Sequence, residues 1–228
     1  MKYKIIYFGY RSWAKNVYNK IKDTDKCEII KYVDNFEKYK IIESDIINGN
    51  IKFDILLFVG WSWIIPKDVV EKNLCIGVHP SDLPKYRGGS PIQNQIINGI
   101  SKTKNSLITL VDNKIDSGDI WCKSELSLEG DNMSQILNNL TESTIILINY
   151  FMENYPEIET EKQNLSKGSY YERRKEKDSI ILPEELKDLR QVYNKIRCLT
   201  DPYPNAYLED QKGNKIFITG VKFKPKIN

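Results

Sequence analysis

The stretch CIGVHPSDLPKYRGGSPIQ, residues 75–93, holds the single histidine of a 228-residue chain. Imidazole is the side chain whose charge changes nearest neutral pH, so His79 is the first residue to consider for proton transfer. A carboxylate partner orients such a ring and makes it more basic. Asp82, Asp116 and Asp119 are all candidates for that partner, and spacing alone does not choose among them. Arg87, eight residues on, can grip a carboxylate or phosphate through two parallel hydrogen bonds or can serve to fix its own loop. Gly88 and Gly89 allow close approach of backbone to a ligand. Ser90 and Pro91 suit the cap and first turn of a helix whose dipole would favour an oxyanion or phosphate.

These groups need elements to hold them, and the pattern supplies strands and helices in alternation. KYKIIYFG (residues 2–9) reads as a buried strand followed by the helix SWAKNVYNKIKD (12–23). CEIIKYVD is a second strand, and the almost wholly apolar FDILLFVGW a third, as expected of strands covered on both faces. VVEKNL is a short helix, CIGVHP a fourth strand ending at His79, and SPIQNQIINGI a helix. SLITLVD and DIWCKSELSL are strands around the turn NKIDSG, and DNMSQILNNLTESTIILINYFMENY is a long helix. The rhythm predicts an α/β fold with an open, mostly parallel sheet and helices on both faces. Ligands bind such sheets beyond the carboxyl ends of the strands. His79, Asp116 and the run Trp61, Ser62, Trp63 are all expected there.

Beyond Pro156 the chain is polar and irregular to residue 182, which leads into a helix within PEELKDLRQVYNKIRCLT and a hairpin around DQKGN. The expected organisation is a core over residues 1–155, an irregular segment over 156–182, and a short helix–hairpin extension over 183–228 that docks on the sheet. Lys and Arg number 34 against 31 Asp and Glu, a formal net charge of +3, which does not suggest a nucleic-acid binder. The first strand–helix turn, YFGYRSWA, has one glycine, with Arg11 and Trp13 where a dinucleotide fold needs close backbone approach, so a nicotinamide site is not expected. Arg11 beside a helix start can still hold an anion. The cysteines, Cys27, Cys75, Cys122 and Cys198, form no C-x-x-C pair, and no metal site is expected. No run reads as a signal peptide or membrane span, so a cytoplasmic location is expected.

Two stretches resemble a known family. HPSDLPKYRGGSPIQ is similar to the H-x-S-x-L-P-x-x-R-G-x-x-P-I-Q signature of folate-dependent formyltransferases, and DNKIDSGDI to their D-x-G-x-D-x-G-D-I/M loop. VGWSWIIP fits the proline-ended loop that precedes the histidine, and the resemblance covers roughly residues 1–150. It implies a Rossmann-like domain that moves a formyl group from 10-formyltetrahydrofolate to a primary amine. It also implies His79 and Asp116 as catalytic residues. Folate would lie along Trp61, Ser62, Trp63, Ile64, Val111, Asp112, Lys114 and Asp116. The acceptor would meet Tyr10, Arg11, Ser81, Arg87, Gly88, Gly89, Tyr171 and Arg173.

One departure matters. The family has an asparagine two residues before the histidine, assigned to the formyl oxygen, and this chain has Gly77. Losing one oxyanion donor costs about 3 kcal/mol of transition-state stabilisation. Asn94 is the first candidate to replace it, with Gln93 or a backbone N–H as alternatives.

Of the acceptors known in the family, the resemblance points to a nucleotide-linked (dTDP or UDP) amino-dideoxy sugar destined for a glycan. The segment SYYERRKEKDSII and the helix–hairpin tail are similar to those of sugar N-formyltransferases. A tRNA or ribonucleotide formyltransferase is the same-fold alternative. A non-catalytic or hydrolytic folate- or nucleotide-binding relative is the alternative that Gly77 raises. The expected partners are folate and the amino sugar, without nucleic acid or membrane, with a homodimer left open.

Overall fold

The computed structural model describes residues 2–22, 25–112 and 114–226, so Asp23 and Asn113 of the expected helix and turn lie outside the described residues. Six strands form one sheet in the order β2-β1-β3-β4-β6-β7: β1 Tyr3–Phe8, β2 Cys27–Val33, β3 Ile55–Phe58, β4 Cys75–His79, β6 Lys102–Thr109 and β7 Ile120–Ser127. The first four run parallel, and β6 lies antiparallel to both neighbours. Alternate residues of β1 and β3 supply two cores, as a period of two requires. Ile5, Tyr7, Ile55 and Leu57 face one layer, with α1 (Ser12–Ile21) and α5 (Met133–Asn154). Ile6, Phe8, Leu56 and Phe58 face the other, with α2 (Phe36–Ile47) and α3 (Lys67–Lys72). This is the expected α/β sheet covered on both faces.

Helix α2 has no counterpart in the sequence reading, which leaves residues 36–47 unassigned. Its buried side, Tyr39, Ile42 and Ile46, is narrow among charged residues, and its start is marked only by Asn35, whose side chain accepts from Lys38 N. The reversal of β6 also departs from expectation. The connecting helix α4, Pro91–Ile97, spans about 10 Å at 1.5 Å per residue. It does not carry the chain back along β4, so β6 starts beyond the carboxyl end of β4 and pairs His79 with Ser106. Thr109, near the end of β6, therefore lies opposite Ile76 rather than beside His79.

The segment after Pro156 is ordered by the rest of the chain. Tyr170–Tyr171 forms β8, paired in parallel with the two-residue strand β5, Arg87–Gly88. Helix α6 runs Leu189–Arg197 and begins at Asp188, whose carboxylate accepts from Arg190 N and Gln191 N. The proline at 183 opens only a 3-10 turn, Pro183–Lys187. Strands β9 (Ala206–Glu209) and β10 (Lys215–Ile218) form the expected hairpin. Val192, Ile196, Cys198, Leu199 and Ala206 are buried in the same cluster as α1 and α5, so the tail docks on the sheet.

Candidate active site

His79 ends β4 and is 6% exposed. Its Nδ1 lies 3.3 Å from Asp116 Oδ2, which selects Asp116 from the three carboxylates the sequence left open. Asp82 instead pairs with Lys123 at 2.6 Å. Since β6 is antiparallel, Asp116 is not delivered by strand direction. The loop after Thr109 folds back to the histidine, with Asp116 itself at φ 51°. Two contacts hold the aspartate, and a third holds its loop. Gly88 N donates to its Oδ2 at 2.9 Å, and Gln163 Nε2 donates both to its main-chain oxygen at 3.0 Å and to Gly118 O at 2.7 Å. The other ring nitrogen, His79 Nε2, lies 2.8 Å from Tyr86 O. A carbonyl only accepts, so Nε2 is the donor.

The structure changes the reading of several expected site residues. Gly88 and Gly89 do make room for close backbone approach, but the chain itself fills that room. A Cβ at Gly88 would stand 2.3 Å from Tyr171 O, and one at Gly89 2.3 Å from Arg173 Cα. Ser81 is fully buried, its hydroxyl donating to Lys85 O, and is closed to a ligand. Ser90 sits at φ 51° and makes no side-chain cap; its hydroxyl accepts from Arg174 N, and the seven-residue α4 offers no long helix dipole. Asn94 donates to Gly89 O at 3.0 Å, a contact that fastens the glycine turn and removes this hydrogen from any role on a substrate. Tyr171 stacks on Tyr86 at 5.1 Å and takes a hydrogen bond from Asn98, so one ring face and the hydroxyl are already engaged. The space where a side chain at Gly77 would begin is also taken, with Leu110 Cδ2 2.6 Å from the position of that Cβ.

Other expected residues remain open to a ligand. Arg11 lies over the rings of Tyr10 at 4.7 Å and Tyr203 at 5.6 Å, and Tyr10 donates to Ser62 Oγ. Trp61 and Trp63 meet edge to face at 4.7 Å and join Tyr10, Phe36 and Tyr39 in one aromatic cluster. Beside it Ile64 is 89% exposed and Val111 42%, while Asp112 is partly buried and Lys114 exposed. Leu110 packs against the same core as Trp61, which sets the two loops side by side. Arg87 Nε is buried without a hydrogen-bond partner among the described residues, and Arg173 is exposed. Sequence reasoning misses Tyr86, Gln163 and Ser169, because Tyr86 acts through its carbonyl and the other two through side-chain bonds to main-chain atoms far away in the chain.

The chemistry available is transfer of a proton at a buried imidazole whose charge a fixed carboxylate can balance. Among the described residues no cluster of three His, Cys, Asp or Glu side chains could hold a metal ion.

Comparison with known proteins places this geometry. Residues 49–147 match the family model described as formyl transferase. A methionyl-tRNA formyltransferase of Campylobacter curvus is 30% identical over 161 residues, covering 70% of this chain and 52% of the relative. The chain thus spans about half the length of the curated relatives it matches. Among solved structures, a methionyl-tRNA formyltransferase from Clostridium thermocellum is 29% identical with a TM-score of 0.78, covering 96% of this chain and 100% of that one. A 4-N formyltransferase from Francisella tularensis shares the fold at 21% identity and TM-score 0.76, covering 98% and 99%. So does HypX from Aquifex aeolicus in complex with tetrahydrofolic acid, at 18% and 0.75, covering 92% and 36%. The matched stretch spans β3, His79, Asp116 and most of α5, so this part of the chain is a formyl transferase domain.

Proposed function

We propose that this protein transfers a formyl group from 10-formyltetrahydrofolate to the primary amine of a nucleotide-linked amino-dideoxy sugar, carrying dTDP or UDP. The observation that carries formyl transfer is the buried His79 ring against the partly buried Asp116 within the family's two motifs. Transfer forms a C–N bond to the amine and breaks the bond to the folate nitrogen. One proton leaves the amine and one is delivered to the folate nitrogen. His79 takes the first of these, directly or through water, and Asp116 balances the charge of the ring.

The donor would lie on the surface formed by residues 61–65, 110–112 and 114–116. There an aromatic cluster stands beside exposed Ile64 and Val111, apolar area that a flat pterin would cover. A tetrahydrofolic acid complex of HypX, which shares this fold, supports folate as the donor. For the acceptor, Arg11 between two tyrosines suits an anionic group beside a ring, and Arg87 and Arg173 add further positive charge. The net charge of +3 favours a small acceptor over tRNA, whose binding draws heavily on basic surface.

A second reading keeps the chemistry and changes the acceptor, because the sequence relatives are methionyl-tRNA formyltransferases. One experiment separates the two. The protein is incubated with 10-formyltetrahydrofolate and either a panel of dTDP- and UDP-amino sugars or methionyl initiator tRNA, and products are read by mass spectrometry. A formylated sugar nucleotide supports the proposal. Formylation of the tRNA alone overturns its acceptor, and formate release without either product overturns transfer.

A further inference from the structure

We infer that the main-chain carbonyl of Tyr86, held in place by the segment 168–171, fixes His79 as its Nε2–H tautomer and leaves Nδ1 as the nitrogen that exchanges a proton. This rests on the reading of His79 as the proton acceptor, and it goes further by naming the atom and the device that selects it. In a serine-hydrolase triad the arrangement is the opposite: Nδ1 carries the hydrogen toward the aspartate and Nε2 faces the substrate. Here Nε2 faces a carbonyl at 2.8 Å, which can only accept, so the hydrogen stays on Nε2. Nδ1 faces Asp116 Oδ2 at the longer distance of 3.3 Å. With the ring neutral, two lone pairs then face each other, and a donor that reaches both from one side is wanted. The amine of an acceptor supplies such a donor. After the amine has attacked, the proton it gives up passes to Nδ1, and the resulting imidazolium lies against Asp116.

The carbonyl owes its position to an unfavourable backbone. Tyr86 has φ 58°, a region that bulky residues rarely enter unless surrounding contacts enforce it. Those contacts come from one segment. Ser169 Oγ accepts from Tyr86 N at 2.8 Å, Ser169 O from Arg87 N at 3.0 Å, and Ser169 N donates to Pro84 O at 3.2 Å. Gly168 packs so closely on Pro84 that a Cβ there would stand 2.4 Å from Pro84 O. The Tyr171 ring lies parallel to that of Tyr86, with 7° between their planes, and Asn98 bonds both hydroxyls. Residues 168–171 thus hold Tyr86 from its amide and its ring, and also hold Pro84 and Arg87 on either side of it. Ser169 and Tyr171 are positioning residues by this argument.

The chain has one histidine, so ring-labelled 15N-histidine gives a single imidazole signal that needs no assignment. Long-range 1H–15N correlation of the full chain, titrated until the ring is neutral, reads the tautomer whether or not any substrate turns over. The expected result is one tautomer with the hydrogen on Nε2. A hydrogen on Nδ1, an average of both forms, or a ring that keeps both hydrogens until the protein unfolds would overturn the inference. Ser169→Ala removes the acceptor for Tyr86 N and is expected to mix the tautomers. It should lower kcat at least about tenfold with KM for the folate donor within about twofold, since a ring in the wrong tautomer cannot accept the proton. Ser169→Thr keeps the hydroxyl and should restore both. Tyr171→Leu, which removes the ring contact and the hydroxyl that Asn98 bonds, is expected to mix the tautomers in the same direction and serves if Ser169→Ala does not fold. A folded variant of either kind that keeps a pure Nε2–H ring would overturn the role of the segment. Absence of formyl transfer with the expected tautomer would count against the function and not against this geometry.

Discussion

His79 Nδ1 and Asp116 Oδ2 lie 3.3 Å apart; the ring is held at its other nitrogen by Tyr86 O, and Gly88 N donates to the same carboxylate oxygen. Replacing either with asparagine keeps the shape and removes the titrating group. His79→Asn and Asp116→Asn should each lower turnover by about a hundredfold or more, the usual scale for a general acid–base group. Thermal denaturation should show that both variants fold; a His79→Asn enzyme within about threefold of wild type would remove the proposed chemistry. Gly77 makes a second prediction at this scale. The family asparagine cannot be restored without a shift of Leu110, whose Cδ2 stands 2.6 Å from where its Cβ would go. Gly77→Asn should destabilise by roughly 1–3 kcal/mol, as overpacking does. Leu110→Ala in the same chain should recover part of that loss, a coupling readable in denaturant unfolding of the two single variants and the double. Equal and additive effects would show that the two positions do not compete for space. The histidine and its family motif were legible in the sequence, since residue type carries that chemistry. The loss of space at Gly77 was not, because it depends on a residue 33 positions later in the chain.

At the scale of elements, the parallel strands β1, β3 and β4 could be read from their apolar runs, and so could α5 from its helical spacing. Direction could not, and β6 shows why. Its residues are those of any buried strand, and only the shortness of α4 turns it around. The glycine pair shows the same limit. Gly88 and Gly89 signal a close approach, and the sequence says nothing of what approaches. In the structure it is the backbone of residues 171–173, with Gly89 N donating to Tyr171 O at 2.8 Å. A methyl at position 89 would push against main-chain atoms that cannot rotate aside. Gly89→Ala is therefore expected to cost about 1–3 kcal/mol in denaturant unfolding. It should also detach β8 from β5, visible as faster hydrogen exchange at Gly89 and across residues 169–173 than in wild type. Wild-type protection there in a stable variant would mean that this approach is looser than the structure shows.

At the scale of the molecule, the question is whether the tail folds with the sheet or as an attachment to it. Its helix and hairpin place Val192, Ile196, Cys198 and Ala206 in the cluster that also holds Ile5, Ile55 and Phe151. Arg197 reaches across to Leu128 O and Gly130 O, and Met133 N donates to Thr200 Oγ1, so polar contacts cross the same boundary. The cysteines report on both sides of it. Burial pushes the thiols of Cys75, in β4, and Cys198, just after α6, from the usual value near 9 up to about 12. Both are therefore held as unreactive thiols in the folded protein, and labelling must await an opening that exposes them. A raised thiol pKa favours folding below the unfolded value, so this contribution is lost as pH rises from about 9 to about 12. If tail and sheet open together, Cys75 and Cys198 should react with a thiol reagent at matched rates near pH 8, and both rates should rise together with denaturant. Mass spectrometry of the labelled peptides measures each site separately. Labelling of Cys198 ten or more times faster than Cys75 corresponds to a tail opening about 1.4 kcal/mol more easily than the sheet. That result would make the helix–hairpin a separate cooperative unit, despite the core it shares.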